Sequence, residues 1–236
     1  NQGVITSPQG QVLLAAGTSV SLIDSAGPEL SVTLTANGNR AVNLGTVTAA
    51  GGRIDMFGAI IEQAGVLRAD SSTVDAAGNI ILKATQSTTV SGQISATNSV
   101  GSGGKVQVLG DQVSLTSTAR IDVSGVGAGG TALIGGDYQG KNTAVQNATL
   151  TTIAAGATIK ADALDNGNGG RVIVWSDDKT VFDGFISARG GVNRGDGGFV
   201  ETSGHNRLLL DGSVDTRAPR GKIGNWLLDP ASYCFE

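Results

Sequence analysis

The chain has 236 residues, of which 37 are glycine, 15% are charged and 4% are aromatic, and its net charge is −4. Recurring Val, Ile and Leu exclude a disordered chain, and glycines without a three-residue period exclude collagen. The absence of a Lys/Arg cluster argues against nucleic acid or an anionic membrane as a partner. The single cysteine, Cys234, excludes an intrachain disulfide scaffold.

No targeting or membrane segment is evident in the sequence. No apolar run reaches the ~18 residues of a membrane helix, and the given residues do not begin with a signal-peptide pattern; the first residue is Asn1. We therefore expect no membrane insertion, and a chain that is a processed product or an excerpt of a longer protein.

The first fifty residues predict two units that match the later ones loosely. NQGVITSPQGQVLLAAGTSVSLID (1–24) resembles one coil of a repeat, and SVTLTANGNRAVNLGTVTA (31–49) resembles another with a different turn.

From residue 51 onward the chain repeats. Glycine pairs such as those in GGRIDMFG and GGRVIVWS are followed each time by an apolar run, with steps of 26, 26, 26, 40 and 28 residues. RGKIGNWL, with Gly221, continues the series after 23 more. The second residues of the pairs are Gly52, Gly78, Gly104, Gly130, Gly170 and Gly198.

A second register keeps the same period. Stretches such as GVLRAD and ARIDVS repeat in steps of 27, 27, 38, 27 and 28 residues, so that two independent patterns define one unit. The apolar residues of this register are Leu67, Ile94, Ile121, Ile159, Ile186 and Val214.

Each unit contains three short strands. In the unit from Gly103 these are KVQVL, QVSLT and RIDVSG, which are rich in β-branched residues and alternate with period two. A single 26-residue unit is too short to enclose a hydrophobic core. When units stack, each strand pairs in parallel with the equivalent strand of the next unit. The prediction is all-β: a right-handed parallel β-helix of about nine coils at ~4.8 Å each. A propeller is disfavoured because its blades need about 40 residues.

This arrangement predicts which side chains point inward. In one coil these are Val106, Val108, Val113, Leu115, Ile121 and Val123. Ile54 with Met56, and Val172 with Val174, should stack in line with Val106 and Val108.

The 40-residue step predicts a loop insertion within residues 135–150. Insertions in solenoids map to loops on one face, often a binding face. The alternative is a lid over Ile173 and Trp175, which are apolar at positions that should face outward. The candidate binding surface consists of Tyr138, Lys141, Asn142, Ile173 and Trp175.

The units GNGGRVIVWSDD, GFISARGG and GDGGFVETSG, with WLLDP at the end, resemble the filamentous-haemagglutinin type of secreted exoprotein. The resemblance implies a β-helix exported by two-partner secretion through an outer-membrane transporter, with roles in adhesion, aggregation and biofilm. The family's secretion domain carries NPNGI and NPNL motifs, and neither occurs here. We therefore expect a segment of the rod.

Other motifs are weak evidence for chemistry. Gly125, Gly127 and Gly130 match GxGxxG, but no helix is predicted after them, and turn glycines at positive φ are expected instead. One interpretation of Asp177, Asp178 and Asp183 is a pair of catalytic carboxylates or a Ca²⁺ site. We favour the alternative that they are turn residues whose side chains bond to the local backbone. His205 is interpreted as a turn residue. No cofactor or metal is expected.

An enzyme is the main rival function, since polysaccharide lyases and hydrolases also use β-helices. The residues after the glycine pair are Arg53, Asn79, Lys105, Thr131, Arg171, Phe199 and Lys222. The residues two positions further are Asp55, Ile81, Gln107, Leu133, Ile173, Glu201 and Gly224. These residues form no catalytic cluster, so we expect no enzymatic activity.

The C-terminal residues 221–236 predict a cap. Trp226 is suited either to cover the last coil or to pack on a further domain, and Pro230 should stop strand pairing. Cys234 is interpreted as inert or as forming an intermolecular bond.

Taken together, residues 1–236 predict a single extracellular β-helical rod segment at the bacterial surface. Its expected partners are a surface glycan, a matrix protein or like chains, bound through many weak contacts. The alternatives are a carbohydrate-active enzyme and a self-assembling filament subunit.

Overall fold

The computed structural model describes residues 1–17 and 39–235, with side chains as far as residue 232. Much of the two predicted opening units, residues 18–38, therefore lies outside the described residues, as does the Cys234 side chain. The first eleven strands are β1 (Val4–Thr6), β2 (Gln11–Ala15), β3 (Arg40–Asn43), β4 (Thr46–Thr48), β5 (Arg53–Gln63), β6 (Val66–Arg68), β7 (Asn79–Val90), β8 (Gln93–Ser95), β9 (Lys105–Leu109), β10 (Gln112–Leu115) and β11 (Arg120–Asp122). The other eleven are β12 (Thr131–Ile134), β13 (Leu150–Ile153), β14 (Thr158–Lys160), β15 (Arg171–Ser176), β16 (Lys179–Phe182), β17 (Phe185–Ser187), β18 (Phe199–Gly204), β19 (Arg207–Leu210), β20 (Ser213–Asp215), β21 (Asn225–Leu227) and β22 (Tyr233–Phe235).

These strands form three faces of a parallel β-helix, which confirms the predicted fold. Face A contains β1, β4, β6, β8, β11, β14, β17 and β20. Face B1 contains β2, the first parts of β5 and β7, and then β9, β12, β15, β18 and β21. Face B2 contains β3, the second parts of β5 and β7, and then β10, β13, β16, β19 and β22.

We number the coils by their B1 strand, so that coil 1 starts at β2 and coil 8 at β21. The described residues contain eight coils, or about 34 Å of axis at the usual strand spacing.

The predicted stacking is confirmed. Val106 pairs in register with Ile80 and Ala132, and the same column continues to Ile54 at one end and Val172 at the other. Every residue predicted to point inward in this coil is buried. Each such aliphatic side chain contributes about 1.5–3 kcal/mol by leaving water, and the columns form one continuous core.

Threonines occupy the corner between faces B1 and B2 in coils 3, 5 and 6, while Val113 takes this position in coil 4. Thr88, Thr151 and Thr180 are buried at equivalent positions of face B2. Each hydroxyl donates to a carbonyl oxygen at the corner of the following coil, so the bend leaves these buried groups satisfied. The acceptors are Leu109 O at 2.7 Å, Trp175 O at 2.7 Å and Ser203 O at 2.9 Å.

The glycine column is explained by close backbone contact, and the expected positive φ is wrong for Gly125, Gly127 and Gly130. A Cβ on Gly130 would lie 2.2 Å from the Gly104 carbonyl oxygen of the coil before. Strand β12, not a helix, follows these glycines, as predicted.

The final glycine of the series was assigned wrongly. Gly224, not Gly221, stacks on Gly198, because its added Cβ would meet Gly198 O at 2.0 Å. Asn225 accordingly pairs with Phe199. The residue that follows the last glycine of the series is therefore Asn225 and not Lys222.

Residues 221–235 continue the ladder through β21 and β22, which pair with β18 and β19. Trp226 lies in β21 in register with Val200, and its indole nitrogen donates to Thr202 Oγ1 at 2.8 Å. The expectation that Pro230 stops strand pairing is wrong, because β22 pairs with β19 beyond it.

We predict that Gly130→Ala lowers the free energy of unfolding by about 1–3 kcal/mol, because the added methyl group must push coils 4 and 5 apart. Urea denaturation followed by circular dichroism measures this change. Gly3→Ala is the control, since its added Cβ would have only Asn1 Oδ1 nearby, at 4.0 Å. Equal losses in the two variants would contradict the close-contact explanation.

Candidate functional site

The predicted insertion is present between β12 and β13, and we call residues 135–149 the strap. It contains one 3₁₀ turn, Tyr138–Gly140, whose first N–H donates to the Asp137 carboxylate at 2.7 Å. Gln139 within this turn has a φ of 52°, a left-handed conformation that is costly for a side chain other than glycine.

The strap covers an apolar row on the outer side of face B1. Leu109, Leu133, Ile173 and Trp175 project outward from three successive strands and form, with Val145 of the strap, a second hydrophobic cluster. Ile173 is 0% exposed and Trp175 is 3% exposed. These two residues therefore do not belong to an exposed binding surface, and the lid alternative describes them correctly.

Glycine allows the strap to lie flat on the indole ring. A Cβ added to Gly136 would meet Trp175 Cδ1 at 2.7 Å, and one added to Gly140 would meet Trp175 Nε1 at 2.6 Å. The indole N–H donates to Asp177 Oδ1 at 2.9 Å, and the Asn147 amide donates to the same oxygen at 2.9 Å. The buried polar atom of the tryptophan is thus satisfied.

The N-terminal end of the strap is fixed by charge and by aromatic contact. Arg171 Nη2 lies 3.1 Å from Asp137 Oδ1, and its guanidinium lies 5.6 Å from the centre of the Tyr138 ring. That ring packs edge-on against Phe199 at 5.8 Å. Burial opposes ionisation of Asp137, but hydrogen bonds from Asn142 and Tyr138, with nearby cations, lower its pKa below the usual value.

Two glutamines extend the strap along the axis. Gln146 Nε2 donates to the carbonyl oxygen of Ala84 in coil 3 at 3.1 Å. In the opposite direction, Gln139 donates its backbone N–H to Glu201 Oε2 at 3.2 Å and its amide to Asp229 Oδ2 at 2.5 Å. The strap therefore contacts both coil 3 and the chain just after β21 in coil 8.

Glu201 is a buried carboxyl group beneath the strap. It is 0% exposed, and its Oε1 has no hydrogen-bond partner. Burial raises its pKa, and the nearby Asp229 adds to this, although bonds from Gln139 and Ser203 and the charge of Arg171 oppose the shift.

The remaining predicted surface residues are exposed on the strap. Tyr138 is 40% exposed, and Lys141 and Asn142 are also at the surface. Lys141 Nζ donates to Gln139 Oε1 at 2.7 Å and borders a cleft of about 350 Å³. The other lining residues are Gln139, Trp175, His205, Asp229, Pro230 and Ala231.

The acidic turn residues have structural partners. Asp177 and Asp178 lie between β15 and β16, as predicted, and Asp178 accepts from Asn206 Nδ2 at 3.1 Å. Both carboxylates accept from side chains of other segments rather than from the local backbone as expected. His205 lies in the bend between β18 and β19, which confirms its interpretation as a turn residue.

Both arginines of the outward column considered for an enzyme are held in ion pairs. Arg53 Nε lies 2.7 Å from Asp55 Oδ2, while Arg171 is held by the strap. In the described part of the chain, no three His, Cys, Asp or Glu side chains come together to hold a metal ion. Within residues 1–17 and 39–235, no helix has the length and apolar character needed to cross a membrane.

A second depression, of about 580 Å³, runs along one edge of face A. Its carboxylates link successive coils: Asp70 accepts from Thr97 N at 2.8 Å, and Asp162 accepts from Ser187 Oγ at 2.5 Å and Arg189 N at 2.7 Å. These bonds give the acidic groups a structural role.

Sequence reasoning missed Gln139, Gln146, Glu201 and Asp229 as parts of this site. The sequence feature that could have revealed the site is Glu201, a carboxylate in the same outward column as the apolar Leu133 and Ile173.

We predict that Glu201→Gln gains stability relative to the wild type as the pH rises. The pKa of Glu201 is higher in the folded protein than its value near 4.5 in the unfolded chain. The resulting stabilisation is complete below about pH 4.5 and is lost as the pH rises through the pKa of the folded state. The difference in unfolding free energy should therefore grow above about pH 4.5 and then level off, as measured by urea denaturation at successive pH values.

Glu62→Gln is the control for this series, because Glu62 forms a surface ion pair with Arg40. It should gain no stability over the wild type with rising pH. A flat difference for Glu201→Gln would show that burial does not disfavour its ionised form.

Comparison with known proteins gave one informative likeness. No family model matches the chain, and no curated protein matches it. The structure is similar to the crystal structure of the HMW1 secretion domain from Haemophilus influenzae, with a TM-score of 0.86 and 40% identity over 97% of this chain. The chain spans 60% of that protein's chain. The likeness supports the fold and a relationship to secreted exoproteins, but it does not confirm that this segment is rod.

Proposed function

We propose that this chain is part of a bacterial exoprotein exported by two-partner secretion, and that it belongs to the β-helix of the secretion domain. The observation that carries the proposal is the similarity to the HMW1 secretion domain over 97% of the chain. The missing NPNGI and NPNL motifs favoured the rod. The matching 60% of the HMW1 chain need not include them, so they do not decide the placement.

The fold suits passage through an outer-membrane transporter. Each coil pairs mainly with the coils directly before and after it, so folding can proceed coil by coil as the chain emerges. The sequence has one cysteine, so no intrachain disulfide has to form or open during export. We propose an extracellular or cell-surface location on these grounds.

We also propose that the chain is not an enzyme. The two arginines of the outward column are held in ion pairs, Arg53 with Asp55 of the column and Arg171 with Asp137 of the strap. Neither pair lines one of the clefts described above.

A chimera tests the export proposal. The part of HMW1 that matches this chain is replaced by it, and the exoprotein is produced together with the HMW1 outer-membrane transporter. We expect secretion into the medium at a level comparable with HMW1 itself, measured by immunoblotting of medium and periplasm.

The matched control replaces the same part of HMW1 with an unrelated parallel β-helix of similar coil number. Export of both chimeras would mean that only the fold is required. Retention of the first chimera in the periplasm, while HMW1 is exported, would contradict the proposal.

We further propose that the strap surface contributes to adhesion to a glycan, a matrix protein or like chains. Tyr138, Lys141 and Asn142 offer an aromatic ring, a cation and an amide at the surface of an otherwise low-charge rod. Binding through such small patches gains strength when many rods act together.

Beads coated with the protein at increasing density test this surface. The triple variant Tyr138→Ala/Lys141→Ala/Asn142→Ala should adhere less to a glycan and matrix-protein array than the wild type. Arg207→Ala, an exposed change on face B2, is the control. Unchanged adhesion of a folded triple variant would exclude the strap as the adhesive surface.

A further inference from the structure

We infer that the strap is an axial clasp that couples coil 3 to coil 8 and resists separation of the coils between them. The inference goes beyond the proposed export role and does not depend on it.

The need for such a clasp follows from the ladder. A solenoid is held together by contacts between neighbouring coils, so the strand pairing itself gives coil 3 no contact with coil 8.

The strap provides contacts that the ladder lacks. It leaves the β-helix in coil 5, and Gln146 reaches back to Ala84 O in coil 3. Gln139 reaches forward to Glu201 in coil 7 and to Asp229, which follows β21 of coil 8. Between these ends, the strap packs on Leu109 of coil 4, Leu133 of coil 5 and Trp175 of coil 6.

The backbone of the strap is shaped for the forward contact. Gln139 has a left-handed φ of 52°, and it is this residue whose N–H and side-chain amide bind Glu201 and Asp229. A non-glycine residue keeps such a conformation when surrounding contacts hold it there. Gln139 therefore closes the clasp and also holds the unfavourable left-handed backbone conformation.

The order of residues also makes the clasp close late. Gln139 lies 62 residues before Glu201 and 90 residues before Asp229. If coils stack from the N-terminus, Gln139 can bind Asp229 only after coil 8 has formed. Closure of the clasp therefore follows the formation of the coils that it spans.

Hydrogen exchange of the whole chain tests the clasp. Gln139→Ala should make the amides of Asn225–Leu227 exchange roughly five- to tenfold faster, because the bond to Asp229 is lost, while coils 1 and 2 stay unchanged. Gln146→Ala should instead speed exchange around Ala84 in coil 3. Thr143→Ala, an exposed change on the same strap, should alter neither.

A second variant replaces residues 136–149 with Gly-Asp, the turn that joins the equivalent strands β9 and β10 in coil 4. We expect coils 6–8 to unfold before the others in urea, in place of a single transition. If this variant does not fold, the two glutamine variants decide.

Two results would overturn the inference. One is unchanged protection of coil 8 in Gln139→Ala. The other is an equal loss of protection in all coils, including coils 1 and 2, since the strap would then add general stability without holding the ends.

Discussion

The parallel, in-register pairing of successive coils determines which residue types the chain needs at each position. Because equivalent residues of neighbouring coils lie opposite each other, any property required at one position is required again in the next coil. Inward aliphatic residues therefore form columns, as from Ile54 through Val106 to Val172. Glycines recur where backbones nearly touch, and threonines recur where a corner carbonyl needs a donor.

The same pairing determines what the outside of the β-helix must tolerate. Residues that alternate with Val172 and Val174 face outward, and two of them, Ile173 and Trp175, are large and apolar. A ladder alone would leave them in water, so a non-repeating segment is needed to cover them. The strap meets this need, and its Gln139 also contacts Glu201, whose ionised form is disfavoured by burial.

The sequence was informative wherever the structure repeats. The glycine spacing and the second apolar register predicted the fold, the inward residues and the position of the insertion, because a periodic ladder maps directly onto a periodic sequence. Contacts that occur once could not be found in this way: Gln139 meets Asp229 across 90 residues, and no period signals it. The assignment of Gly221 failed for a related reason, since the pairing keeps a step of 26 to Gly224 whereas the pattern GK suggested 23. The exposed role expected of Ile173 and Trp175 failed because their cover is not part of the repeat.

Register and strap together bury Trp175, and single-tryptophan fluorescence can measure this burial. The chain has two tryptophans, so Trp226→Phe leaves Trp175 as the only indole. We expect blue-shifted emission and protection from acrylamide, both lost when the strap is replaced by a two-residue turn. Red-shifted emission with quenching like that of a free indole, in the variant with an intact strap, would contradict it.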